Sequence, residues 1–180
     1  MIERDNLILV GPKHSGKSSV GTLLAGRLNI PFLDTDTLIT EISGKTPREL
    51  YDEGGAVLMM AIESQACALA TSRHGKDNPC VLATGGGLAD NQAAKQALSG
   101  KGSIIYLEAD FDVVFDRIME SARRDGRLPP FLQGDNPKEN FRVIFTRRAE
   151  CYVTMCSLRV QTGLLTQSDI VEIIISKLFA

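Results

Sequence analysis

The chain has no tryptophan, only 6% aromatic residues, four cysteines and a net charge of −2. Each scarcity excludes something. With no charge excess and no long basic block, nothing favours a nucleic-acid groove or a membrane-binding face. Cys67, Cys80, Cys151 and Cys156 show no CxxC pattern, and the last two stand five apart, where a helical metal pair would stand four apart. They read as reduced thiols used in packing. No leader pattern or 18-residue apolar run is evident, so a cytoplasmic setting is expected. What the chain does have is 43% hydrophobic residues in 180 positions, enough for one good core. A single domain over residues 1–180 and a monomer are expected.

The richest segment is Gly11-Pro12-Lys13-His14-Ser15-Gly16-Lys17-Ser18, which follows the apolar run Leu7 to Val10 and precedes helix-spaced Val20, Leu23, Leu24 and Leu28. Strand, glycine-bounded loop and helix together make a phosphate-binding P-loop. The loop N–H groups and the helix N-terminus face phosphate oxygens, Lys17 reaches the terminal phosphates, and Ser18 offers a hydroxyl to Mg²⁺. His14 brings a side chain into the middle of this loop, with solvent its expected direction.

Five short apolar or β-branched runs are predicted as strands: Leu7 to Val10, Pro31 to Leu33, Cys80 to Thr84, Ser103 to Leu107 and Leu158 to Gln161. The spans between them predict helices over 17–28, 36–43, 47–53, 57–72, 91–98, 112–121, 137–156 and 168–178. Alternation of this kind implies a parallel sheet covered on both faces, a three-layer α/β/α fold.

Asp34-Thr35-Asp36 closes the second strand at the edge that carries the P-loop. Alternation along a strand points Asp34 and Asp36 the same way. Asp34 is read as a water-mediated Mg²⁺ ligand beside Ser18, and Asp36 as the group that holds or deprotonates an acceptor hydroxyl, or else caps the next helix. Gly85-Gly86-Gly87 after the third strand reads as a pocket wall of bare backbone. Residues 122–136, with Arg123, Arg124, Arg127, Pro129 and Pro130, read as a lid that excludes water and brings cations to the γ-phosphate.

The order of these motifs resembles the shikimate kinase family over nearly the whole length, Leu7 to Leu178. The resemblance implies a five-stranded parallel sheet of the nucleoside monophosphate kinase type, and transfer of the ATP γ-phosphoryl group, with Mg²⁺, to the 3-hydroxyl of shikimate on the route to chorismate and aromatic amino acids. It places His14, Ser15, Gly16, Lys17, Ser18 and Ser19 around the phosphates, Ser18 and Asp34 on Mg²⁺, and Asp36 and Gly86 on the acceptor. It also makes Arg127 the lid arginine on the nucleotide phosphates, sets Arg117 against adenine, and gives Arg148 the acceptor carboxylate. Three places depart from the pattern: His14 stands where a glycine is usual, the lid reads Arg127-Leu128-Pro129-Pro130-Phe131 where Arg-Pro-Leu is common, and the substrate arginine is replaced. Where the family carries Phe-Arg-x-x-Glu, with an arginine for that carboxylate, this chain reads Met59-Met60-Ala61-Ile62-Glu63. Burial preferences place Met59, Met60 and Ile62 in the core. Two alternatives therefore stand beside the shikimate reading: a kinase of the same fold with another hydroxylated acceptor, and a descendant that binds nucleotide without catalysis.

Overall fold

A computed structural model describes residues 5–129, 132 and 135–178. Five strands form one sheet: β1 (Asn6–Val10), β2 (Phe32–Asp34), β3 (Val81–Ala83), β4 (Gly102–Glu108) and β5 (Leu158–Gln161). Their order is β2-β3-β1-β4-β5 and every pairing is parallel, with Ile8 opposite both Leu82 and Ile104. The central strand is buried throughout because helices cover both faces. Ile8 and Val10 point to a core shared with α2 (Thr35–Ser43), α3 (Pro47–Arg73), α4 (Gln92–Leu98) and α6 (Pro137–Met155). Leu7 and Leu9 point the other way, to a core shared with α1 (Lys17–Leu28) and α7 (Gln167–Leu178). A third, aromatic cluster of Phe111, Phe115, Phe141 and Phe145 joins α5 (Phe111–Asp125) to α6.

Parallel strands deliver all five carboxyl ends to one edge. The P-loop leaves β1 there, Asp34 ends β2, the triple glycine follows β3, and Thr162 follows β5. This common edge builds the site.

The sequence reading is corrected at three places. Asp36 belongs to the first turn of α2, not to the strand; Asp34 caps that helix by accepting from the Asp36 N–H at 2.9 Å, so a helical turn and not strand alternation brings the two carboxylates together. Residues 122–125, read as lid, continue α5, whose last turn carries Arg123 and Arg124 against the helix dipole before Gly126 ends it. Of the remaining lid, Pro130, Phe131, Gln133 and Gly134 lie outside the described residues. Third, the two helices expected over 47–53 and 57–72 are arms of α3, bent at Gly55, whose φ of 64° and ψ of −160° are open to glycine almost alone. Thr46 and Glu49 form a capping box at its start, and Pro47 occupies the first turn. α3 holds an 18-residue window of mean hydropathy 1.2, but it packs against α2 and α4 and carries the buried Glu63.

Candidate active site

The P-loop wraps the buried Lys17, whose Nζ donates to the carbonyls of Gly11 at 2.9 Å and Pro12 at 2.7 Å. Burial pulls the ammonium down to about 8, against the opposing charges of Asp36 and Asp34. Nε2 of His14 and Oγ of Ser15 are buried without a hydrogen-bond partner among the described residues. The expectation that His14 points to solvent thus fails for Nε2: a backbone φ of 62° turns the residue inward. Burial lowers the imidazole pKa, aided by Lys13, Lys17, Arg117 and Arg124. Orphaned polar atoms cost about 1–3 kcal/mol each, and an oxyanion with several lone pairs accepts from donors of this kind. The cradle therefore fits a phosphate chain.

A bound polyphosphate restores the pKa of Lys17 upward, so the free protein holds a partly neutral lysine near pH 8 and the complex a charged one. Nucleotide binding at about pH 8 is expected to take up roughly half a proton at this group, and much less at pH 6.5, where Lys17 is already charged. Calorimetry in buffers of contrasting ionisation enthalpy reads this directly, and an uptake independent of pH would contradict it.

Ser18 Oγ donates to Asp34 Oδ2 at 2.7 Å, so the two expected metal ligands already touch. Hydroxyl and carboxylate oxygens suit Mg²⁺, which keeps several waters and takes few protein ligands. Asp36 lies beside them, its carboxyl pushed up by burial and by Asp34, and pulled down by Lys17 and Lys13. The phosphate cavity, about 430 Å³, contains His14, Gly16, Lys17, Ser18, Ser19, Asp34, Asp36 and Arg117, and runs to Gly85 and Gly86.

An adjoining cavity of about 450 Å³ shares Lys13, Asp36, Gly85 and Gly86 and has Gly87 and Arg148 in its wall. Side chains are excluded from this wall: a Cβ on Gly86 would lie 2.6 Å from the Lys13 nitrogen, and one on Gly85 would lie 2.8 Å from Glu63 Oε1 and 3.6 Å from Asp36 Oδ1. Arg148 donates from Nε and Nη2 to Asp90 Oδ2 at 2.9 and 2.8 Å and from Nη1 to the Gly86 carbonyl at 3.2 Å; Tyr152 donates to that same carbonyl at 3.0 Å. Met59 and Met60 both line the cavity, which corrects their assignment to the core; Met59 and Ile62 also touch core residues. The reason is local: the bend at Gly55 tips the second arm of α3 so that this turn faces the cleft.

Arg127 stands away from the phosphate cradle. Its Nη1 and Nη2 bond Asp52 of α3 at 2.9 and 3.0 Å, across the acceptor cavity. Arg117 donates from Nη1 to the His14 carbonyl at 2.8 Å and faces a further cavity of about 590 Å³ between the P-loop and residues 162–170.

Sequence reasoning missed Glu63, Lys13, Arg48, Asp52 and the 162–170 segment. The segment was findable, because it follows β5 and must emerge at the P-loop edge. Arg48 and Asp52 carry no such signal, since charged residues on a helix usually face solvent; Glu63 was findable too, because it occupies the glutamate position of the Phe-Arg-x-x-Glu element.

Comparison with known proteins supplies the chemistry. The family described as shikimate kinase matches residues 13–179. The shikimate kinase of Symbiobacterium thermophilum is 34% identical, over 96% of this chain and 95% of its own length. That of Cereibacter sphaeroides is 31% identical, over 94% of this chain and 87% of its own. The solved structure of shikimate kinase from Acinetobacter baumannii in complex with shikimate superposes with a TM-score of 0.84 at 28% identity, covering 98% of this chain and 93% of that one.

Proposed function

This chain belongs to the shikimate kinase family, and we propose from that premise that its two adjoining cavities bind ATP and shikimate, the γ-phosphoryl group passing to the 3-hydroxyl. One observation carries the assignment of roles. Lys17, Ser18 and Asp34 line one cavity, Arg148 lines the next, and Asp36, Gly85 and Gly86 stand at their junction.

Lys17 and the loop N–H groups hold the β- and γ-phosphates, with Ser15 and His14 completing the cradle and Ser19 at its rim. Ser18 and Asp34 would hold Mg²⁺, which would supply charge neutralisation at the phosphates. Asp36, raised by burial, accepts the proton of the attacking hydroxyl as the bond to phosphorus forms. Gly85, Gly86 and Gly87 bring backbone against the ring, and Arg148 is held ready for the carboxylate by Asp90. Arg117 lies against adenine. Arg127 reaches the phosphates by exchanging Asp52 for them. Catalysis is then positioning and charge neutralisation in a water-poor cleft. Both half-sites come from one chain, in keeping with a monomer.

The test is ATP consumption with Mg²⁺ and shikimate, beside a panel of polyols and sugar acids. Turnover with shikimate is expected. Met60→Arg is expected to lower KM for shikimate by about tenfold or more and to leave KM for ATP within about twofold, because it adds a charge-assisted bond on the cleft side of α3. Met60 itself favours the second reading, a different acceptor without that carboxylate. Silence with shikimate and turnover with another member of the panel would establish it.

A further inference from the structure

Glu63 is the one buried acidic side chain among the described residues, 3% exposed. It lies one turn after Met60, on the same face of α3. Its Oε2 accepts from Asn91 Nδ2 at 2.9 Å, and Oε1 accepts no hydrogen bond among the described residues. Oε1 faces the acceptor cavity beside Gly85, where Asp36 Oδ1 also converges. No cation pairs with it among the described residues: Arg148, whose charge acts on it, is committed to Asp90 and to the Gly86 carbonyl.

A carboxylate buried without a cation is unfavourable, and the neutral acid is the form such a site selects. Burial pushes the Glu63 carboxyl up; the Asn91 bond pulls it down, Asp36 on α2 pushes it up, Arg148 on α6 pulls it down, and Asp90 beyond β3 pushes it up. Tyr152 on α6 and Cys67 on α3 itself complete the titratable groups around it.

We propose that Glu63 binds the acceptor directly, donating a hydrogen bond from protonated Oε1 to the acceptor's carboxylate, in the turn where Met60 supplies no cation. The inference rests on the shikimate reading. A neutral acid and a carboxylate share one proton favourably; two carboxylates at that distance repel. The ionised form of Glu63 therefore rejects the substrate that the neutral form holds.

The experiment is KM for shikimate and for ATP over roughly pH 6 to 9 in the wild type, Glu63→Gln and Glu63→Ala. In the wild type, KM for shikimate is expected to climb with pH, by up to about tenfold per unit above the Glu63 pKa, while KM for ATP does not follow. Glu63→Gln keeps the contact with Asn91 and presents a permanent donor; its KM for shikimate is expected to stay within about threefold of the wild-type low-pH value and to lose the dependence. Glu63→Ala is expected to raise KM at least tenfold at every pH. An unaltered KM for ATP reports an intact fold, and where the alanine variant fails to fold the glutamine variant decides. A wild-type KM flat in pH, or a glutamine variant that keeps the wild-type slope, overturns the inference while leaving the shikimate reading intact. Turnover of some other acceptor and never of shikimate, in all three proteins, overturns the reading and the inference with it.

Discussion

Lys17→Met is expected to lower kcat by about 10³-fold or more, the scale on which a cation at the transferring phosphoryl group acts. The same change should leave thermal unfolding within a few degrees of the wild type. The two expectations diverge because Lys17 is poorly placed as a structural residue. Its ammonium is buried, and its pKa of about 8 records how much that burial disfavours the charge. Two carbonyl bonds, to Gly11 and Pro12, compensate only in part. Methionine keeps the aliphatic length and removes the charge, so the loop loses two hydrogen bonds and escapes a desolvation cost of similar size. Steady-state kinetics and a melting curve on the same preparation test both halves. Retained turnover would remove Lys17 from the chemistry, and a collapse of the melting temperature would make its role structural.

Asp36→Asn carries the second large effect, a fall in kcat of about 10²- to 10⁴-fold with nucleotide affinity within about threefold of the wild type. Asp36 sits where the two cavities meet, so its carboxylate reaches the acceptor hydroxyl without lining the far end of the phosphate cradle. Asparagine retains the shape but cannot take the proton. A small indirect effect on nucleotide is built in, since Asp36 is the larger of the two charges holding Lys17 protonated, yet bound phosphates supply far more negative charge than one carboxylate. Calorimetry for the nucleotide, alongside acceptor kinetics, separates these contributions. Equal losses in both would contradict a role confined to the acceptor.

The fold was legible because its strands announce themselves. Leu7 to Val10 is apolar at every position, as a strand covered on both faces is, and α2, α3, α4 and α5 carry their own side-chain caps. The P-loop cavity was equally legible, since Lys17 and Ser18 sit at local spacings fixed by a strand-turn-helix geometry and Asp34 ends a parallel strand at the same sheet edge. In the adjoining cavity Asp36, Gly85, Gly86, Gly87 and Arg148 were legible, and the side built by α3 was not. Met60 and Glu63 face the cleft because α3 bends, and nothing in a helical period says which face a bend will present. Arg127 was identified as a lid residue, but its bidentate pairing with Asp52 spans 75 positions of sequence and depends on how α5 and α3 approach each other. Non-local geometry of that kind leaves no trace in spacing.

The bend at Gly55 makes the aperture of the acceptor cleft a torsional quantity. The first arm of α3 brings Asp52 to one side of the cavity and the second brings Glu63 to the other, and one residue in a backbone region reserved for glycine sets the angle between them. Acceptors of different girth are thus accessible to this architecture through two dihedral angles at a single position, with no side chain replaced.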